Sequence, residues 1–412
     1  MERFHLCGVR RRGLLALAAG SLASGQVLGA ASVQWRTRFV VSEQRLRQIH
    51  VDGPSGLLGI DADGSLWALS LVGDAPARIA AGLDPDSPLA TGHGRIAARD
   101  AEGGLWIRER GAAHTVKRIG VSAHAGLLIL PQGIIVAVVA GEGHRLVRLE
   151  PDGSSRWSEV ARSAGAVMPD VRPLQVDLEG SGDGGHVVVL AGPDTERYRH
   201  GVLGDAVEAT RLSYLERHSL QVIRELSIPA PFVIEDIAPR PVQLSRGMGL
   251  LTVRSGPAGA QLMLVAADPD RADRLRIEAL GDALGTRHRW MAPTTNRHRW
   301  MAVHTPHIGG KLHEYRQDGQ HLVGSAAGGD FSTHHIGSRE VDLSVWLGQH
   351  LVLPNQEGRR LRVLDGRAAW TEVASVPLPA RVVSTVSLPG NQTLAALLAD
   401  GRVVVAGPLA TS

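Results

Sequence analysis

Apolar residues in this chain come in short runs, as at 57–60, 66–71, 95–98 and 105–107, separated by glycine next to an acidic residue. Short apolar runs bounded by turn residues predict β-strands, and Asp-Gly between two such runs predicts a tight hairpin, because glycine accepts the positive φ the turn needs. The segment Asp61-Ala62-Asp63-Gly64-Ser65-Leu66-Trp67 recurs 39 residues later as Asp100-Ala101-Glu102-Gly103-Gly104-Leu105-Trp106. Looser versions of the corner stand at Asp152-Gly153, Asp318-Gly319 and Asp400-Gly401, each between two apolar stretches. Further strand pairs are expected near 186–190, 249–253 and 351–364.

Helical spacing is scarce. Residues 208–225 show some, yet 213–215 and 220–223 read equally well as paired strands; residues 270–284 read as a short helix or a long loop. One hairpin unit is too small to bury its own apolar face, so units spaced roughly 40 to 60 residues apart must stack. The fold class expected is therefore all-β: a single β-propeller of seven or eight blades, eight favoured, over residues 32–412. Its last strand, at 403–406, would be completed by N-terminal residues 38–41 to latch the ring. Two sandwiched sheets are the alternative architecture.

Residues 1–31 have a different character. Arg10-Arg11-Arg12 precedes an apolar run from Leu14 to Leu28, and Gly29, Ala30 and Ala31 follow. This is the layout of a cleaved signal peptide, and the run is too short and too rich in Gly and Ser to span a membrane. Arg11-Arg12-Gly13-Leu14-Leu15 resembles the twin-arginine export motif, with Arg10 and Leu14 departing from it. The net charge is +3, and loss of this segment removes four arginines and one glutamate, leaving a formally neutral chain. No global field then attracts nucleic acid or anionic lipid. The single cysteine, Cys7, would leave with the segment, so neither a disulfide nor a thiolate metal site is expected. The expected product is a monomer without a transmembrane span, periplasmic or secreted.

The Asp-Ala-Asp-Gly-x-Leu-Trp units resemble those of exported propellers with quinoprotein-like or outer-membrane-assembly-type blades. Asp177-Leu178-Glu179-Gly180-Ser181-Gly182-Asp183, ahead of a strand at 186–190, resembles the calcium-loop blades of the FG-GAP and VCBS repeat families. Residues 201–360 are similar to exported proteobacterial propellers of uncharacterised function. These resemblances imply a propeller used for adhesion, assembly or ligand binding.

Calcium is the one cofactor suggested. Asp177, Glu179, Ser181 and Asp183 alternate as oxygen ligands would, with Gly180 and Gly182 allowing a sharp path. Glu179 and Ser181 stand where Asp is usual, and a solvated acidic turn is the competing reading. Nine of the 18 histidines fall between His288 and His350. Arg287-His288-Arg289-Trp290-Met291-Ala292 repeats identically as Arg297-His298-Arg299-Trp300-Met301-Ala302. In strands, His288 and Trp290 would share a face, as would His298 and Trp300, offering Arg and Trp to an anion or a flat ligand. His304-Thr305-Pro306-His307 and Lys311 extend this region, and His334-His335 would be needed to complete a zinc or copper site. Glu235-Asp236, between Pro231 and Pro239, is a carboxylate pair suited to acid–base work that reads more simply as an exposed loop. No nucleophile elbow, phosphate loop or dinucleotide motif is present. Non-catalytic binding or scaffolding of an unknown protein or small molecule is the reading favoured. The alternatives are a propeller hydrolase, lyase or quinone-dependent dehydrogenase with its site in the central funnel, and an outer-membrane assembly or adhesion partner.

Overall fold

The strand Gly56–Asp61 is apolar on both faces because both faces are covered. Successive side chains point to opposite sides of a strand. Leu57 accordingly joins a core cluster with Leu397 and Val403, while Leu58 and Ile60 join a different one with Ile96 and Trp106. All of these but Ile96 and Trp106 are under 2 % exposed, and each fully buried Leu or Ile contributes ~1.5–3 kcal/mol. Each sheet is thus a layer between two neighbours, which explains apolar runs where a one-sided sheet would alternate.

The computed structural model describes residues 35–408 apart from 41–43, 54–55, 72–74, 110, 153–155 and 391. The expected signal peptide, residues 1–31, lies outside the described residues. The meanders at 46–80, 90–116, 127–162 and 345–377 are separate four-stranded antiparallel sheets. Those at 174–227, 240–281 and 291–328 are fused into one 13-stranded sheet. Two links fuse them. Val233–Ile234 pairs with both Glu208–Leu215 and Met248–Gly256, and Leu275–Gly281 pairs in parallel with His321–Gly328. The last meander, from Val382, is completed by Trp35–Val40 in antiparallel register, Val40 opposite Val403 and Arg38 opposite Val405. This is the latch expected from the sequence. The first strand of the first meander, Leu46–Asp52, lies against Val382–Ser387 on one side and Ala90–Gly92 on the other, so the ring closes.

Among the described residues the helical ones are two 3₁₀ turns, Gly201–Leu203 and Gly366–Ala368. The region 270–284 is neither a helix nor a loop throughout: Leu275–Gly281 is a strand held by Met248–Gly256's partner strand Gly259–Ala267, Val265 opposite Ile277. Edge pairing on a sheet outweighs the weak helical spacing there. Residues 213–215 do pair as a strand, but with 222–225, so that of the expected 220–223 only Val222 and Ile223 lie in the partner strand.

The Asp-Gly corners do more than reverse the chain. Asp61 Oδ1 accepts the Asp63 and Ser65 amides, and its Oδ2 accepts Trp67 Nε1 at 2.7 Å. The Gly64 carbonyl then accepts the amide of Leu83, at the entry to the next meander, at 3.0 Å. The same hook joins Gly103 to Val121, Gly358 to Val382 and Gly401 to Leu46. The repeat in the sequence is therefore a repeat of inter-sheet fastenings.

Candidate functional site

In each meander the turn between the second and third strands lies at the same end as the linker to the next meander. Two of these connections are long: 195–207 within the fourth meander, and 329–344 between the sixth and seventh. They meet the linkers 235–239 and 282–290 and the loop 305–310 on one face, here called the loop face.

Glu235 and Asp236 belong to this meeting point, and the expectation of an exposed loop pair is corrected: they are 0 % and 4 % exposed. One Glu235 oxygen shares a hydrogen bond with His200 Nδ1 at 2.5 Å, and the other accepts the Ser255 hydroxyl. The Glu235 carbonyl accepts Trp290 Nε1 at 3.0 Å. Burial pushes the Glu235 carboxyl up, opposed by His200 and Ser255. Burial also raises Glu208 well above the carboxylate range, with Glu235, Asp205 and Asp170 adding to it. His200 stacks on exposed His288 with ring centres 4.9 Å apart. Tyr198 meets both rings edge-on, and its hydroxyl accepts the His288 amide. Burial, then Glu235, pushes the Tyr198 phenol up to about 12. The Glu235–His200 pair leaves the far imidazole nitrogen for a ligand or a proton.

Beside it, His334 Nε2 donates to the Ser338 carbonyl at 2.9 Å, so its Nδ1 accepts from His307 Nε2 at 2.8 Å. These partners set both tautomers and tie loop 305–310 to linker 329–344. Burial brings His307 and His334 down to about 4.

The residues singled out in sequence separate accordingly. Trp290 and Trp300 are 2 % and 8 % exposed and pack in one core cluster; neither offers a ring face to a ligand. The two identical hexapeptides lie at opposite ends of their sheet. Met291–Thr295 and Trp300–His304 pair with Met291 opposite His304, so His288 precedes a strand on the loop face and His298 sits in the turn at the other end. Nor do the Arg-His-Arg stretches alternate as strands: His288 and Arg297 have φ of 63° and 78°. His304 stacks on His313 at 3.8 Å and bonds the Tyr315 hydroxyl at 2.6 Å, away from His307. Lys311 is exposed, and His335 Nε2 donates to the Val382 carbonyl. A transition-metal cluster of His304, His307 and His334-His335 is not assembled.

The expected calcium loop joins Leu174–Val176 to His186–Asp194, at the end opposite the loop face. Asp177 spends both oxygens on its own turn, accepting the amides of Glu179, Ser181 and Gly182. Glu179 pairs with Arg224 at 2.8 Å, and Asp183 accepts the Gly185 amide and faces Arg217. Ser181 Oγ reaches Asp177 at 3.3 Å and also bonds Asp183, so these three side chains meet, while Glu179 turns away to its arginine. Among the described residues no group of three or more His, Cys, Asp or Glu is placed to hold a metal ion.

The ring interior carries charges that sequence reading missed. Asp236 accepts from Arg240 at 2.7 Å and from Thr252 at 2.9 Å. Arg339 bonds Asp205 at 2.8 Å and lies 3.5 Å from Asp170, while Arg172 donates to the Arg339 carbonyl at 2.6 Å, across the ring. Burial, then Asp205, raises Asp170 to about 6. Burial likewise raises Glu340 and Asp342, opposed by Arg172 and Arg240 respectively. Arg240 lies only four residues from Asp236, but Arg339 and Arg172 are far in sequence from Asp205, Asp170 and each other, and nothing local marks those as partners.

No protein-family model matches the sequence, and no curated protein sequence matches it. Solved structures do match over nearly the whole length. BamB from Moraxella catarrhalis is 14% identical, with 92% of this chain and 99% of that one covered and a TM-score of 0.58. Sqt1 from Saccharomyces cerevisiae is 9% identical, with 92% and 99% covered and a TM-score of 0.55. The Dos1 propeller is 9% identical, with 90% and 94% covered and a TM-score of 0.58. The fold is a β-propeller; identities this low speak to fold alone. No helix among the described residues is long and apolar enough to cross a membrane.

Proposed function

We propose that this chain is an exported propeller of eight blades, one per meander, that holds a protein partner on its loop face. One observation carries the reading. Ile308 and Ile336 are 67% and 73% exposed, and they sit on the two loops that the His307–His334 bond ties together. Large apolar side chains held on a fixed base are what an interface uses as anchors. His288 and the exposed cations Arg287, Arg289 and Lys311 lie on or at the ends of loops of the same face, so an acidic segment carrying an apolar residue is the partner chemistry that fits. Export rests on residues 1–31, and the comparison with BamB bears on architecture alone.

A photo-crosslinking residue placed at Ile336, in cells that make the protein, tests this. A discrete protein adduct is expected there, absent when the probe sits at His298 and weakened by Ile308→Asp. The same adducts at both positions, or none at Ile336, would overturn the reading.

The Glu235–His200 pair supports a second reading, an acid–base site in the funnel of a propeller enzyme. A buried carboxylate behind a partly exposed imidazole is the arrangement that orients a general base. In that case Glu235→Gln would abolish turnover and leave partner capture unchanged.

A further inference from the structure

A second site lies in the ring interior and is independent of the loop face. A cavity of about 420 Å³ opens between the first strands of the last three meanders, Met291–Thr295, Val345–Leu347 and Val382–Ser387. Those strands are the innermost of their sheets, so the cavity belongs to the central channel. It adjoins the turn at 296–297, at the end opposite the loop face.

Its lining is unusual for a propeller interior of this apolar composition. Five of the ten lining residues carry a hydroxyl, and only Val345 and Trp346 are apolar. The polar groups are ordered by one another. Asp342 Oδ1 accepts the Ser344 amide at 2.9 Å and its hydroxyl at 2.6 Å. Ser344 spends its one hydroxyl proton on Asp342, so Thr294 Oγ1 donates to Ser344 Oγ at 2.7 Å and accepts Trp346 Nε1 at 3.1 Å. Trp346 is in turn held edge-on against Trp370, ring centres 5.8 Å apart. The hydroxyl of Thr385 is buried with no hydrogen-bond partner among the described residues, a condition that costs about 1–3 kcal/mol until a partner is supplied.

Each feature narrows the ligand. The volume is that of a small-molecule site, too small for a folded partner. One carboxylate, Asp342, and one guanidinium, Arg297, balance each other, which disfavours a strongly charged ligand. Hydroxyls that both donate and accept, beside a carboxylate, match a ligand bearing several hydroxyls of its own. An indole fixed by its nitrogen offers an apolar surface for the C–H face of such a molecule.

We infer that this cavity binds a neutral polyhydroxylated small molecule of monosaccharide size, held by Asp342, Ser344 and Thr385 against Trp346, with the buried Thr294 orienting Ser344 and Trp346 from behind.

The test is saturation-transfer NMR and calorimetric titration of the full chain lacking residues 1–31, the segment outside the described fold. The probes are D-glucose, D-galactose, N-acetylglucosamine and myo-inositol, with sulfate and glutamate as charged controls. At least one neutral probe is expected to bind. Asp342→Asn should weaken it at least tenfold. Asp342 is tied to Arg240, so that variant could disturb the fold; Thr385→Val, nearly isosteric, removes the unpartnered hydroxyl and should weaken binding severalfold while leaving the melting temperature of the free protein the same or higher. Binding of none of the neutral probes, tighter binding of a charged control, or equal affinity in a folded Asp342→Asn and Thr385→Val would each overturn the inference. Loss of the loop-face adduct leaves all of these outcomes unchanged.

Discussion

Gly64 and Gly94 share a φ of +74° but differ in what a methyl group would meet. At Gly94 there is open space within 4 Å. At Gly64 a Cβ would sit 2.2 Å from the Leu83 carbonyl oxygen and 3.3 Å from its amide nitrogen. Both alanine variants carry the left-handed backbone penalty, roughly 1–2 kcal/mol. Gly64→Ala must also push Leu83 away. That sacrifices the 3.0 Å hook to the Leu83 amide, worth about 1 kcal/mol, and disturbs a side chain 2 % exposed in the core, a further ~1–3 kcal/mol. The expected totals are about 1–2 kcal/mol for Gly94→Ala and about 3–6 kcal/mol for Gly64→Ala. Unfolding entropy for a domain of this length is on the order of 0.8 kcal/mol per degree, so the melting temperatures should fall by ~1–3 °C and ~4–8 °C. Gly103 makes the decisive control. It holds the equivalent position in the repeat, with φ +84°, yet its nearest neighbour would be the end of the flexible Arg99 side chain at 3.4 Å. Gly103→Ala should therefore track Gly94→Ala. Thermal unfolding followed by circular dichroism reads all three. Equal shifts at Gly64 and Gly94 would refute the idea that clearance at the hook, rather than backbone freedom alone, demands glycine there.

Two further expectations concern pH. Asp170, raised to about 6 by burial, binds its proton more tightly in the folded chain than in the unfolded one. Its contribution to stability is then greatest in acid and declines as pH rises from about 4 to 6, by roughly 3 kcal/mol in all; Asp170→Asn should remove that slope in urea denaturation series. His334, lowered to about 4 by burial, works in the other direction. The unfolded chain takes up the proton first, so stability present above about pH 6.5 is lost as pH falls toward 4, about 2 kcal/mol by pH 5. His334→Gln should make that limb shallower, His307 and His304 keeping their own shares, and an undiminished slope in the variant would show that His334 does not contribute to it.

The corners of the fold were legible in the sequence because everything that makes them is local. Asp61 caps amides two and four residues ahead, and Gly64 turns the chain at positive φ. Neither requires knowledge of a distant partner. The latch was legible for a related reason, since a ring of meanders with an unpaired last strand leaves the chain's own start as a ready complement. The fusion of three meanders was not. Val233–Ile234 is two residues long and pairs with a strand on either side, and the parallel contact of Leu280 with His321 joins outer edges 41 residues apart. Their pairing depends on how far neighbouring sheets splay, which no window of sequence contains.

The identical hexapeptides show why the candidate site was harder to read than the fold. Arg287–Ala292 and Arg297–Ala302 have the same periodicity and the same residues, so any local rule must treat them alike. Their tryptophans do meet the same fate: both are buried, Trp290 immediately before its strand and Trp300 as the first residue of the next. Their histidines do not. Consecutive strands of a meander run in opposite directions, so a stretch preceding the first strand and a stretch preceding the second must fall at opposite ends. His288 arrives beside His200 and Glu235, while His298 faces solvent in the far turn. The same reasoning explains Glu235-Asp236. Two adjacent carboxylates between prolines look solvated until a histidine 35 residues upstream and an arginine four residues downstream are brought to them. Glu235 is kept in the interior by a histidine on the long connection 195–207 and Asp236 by the arginine that opens the next meander, so it is the packing of two neighbouring meanders that supplies both partners.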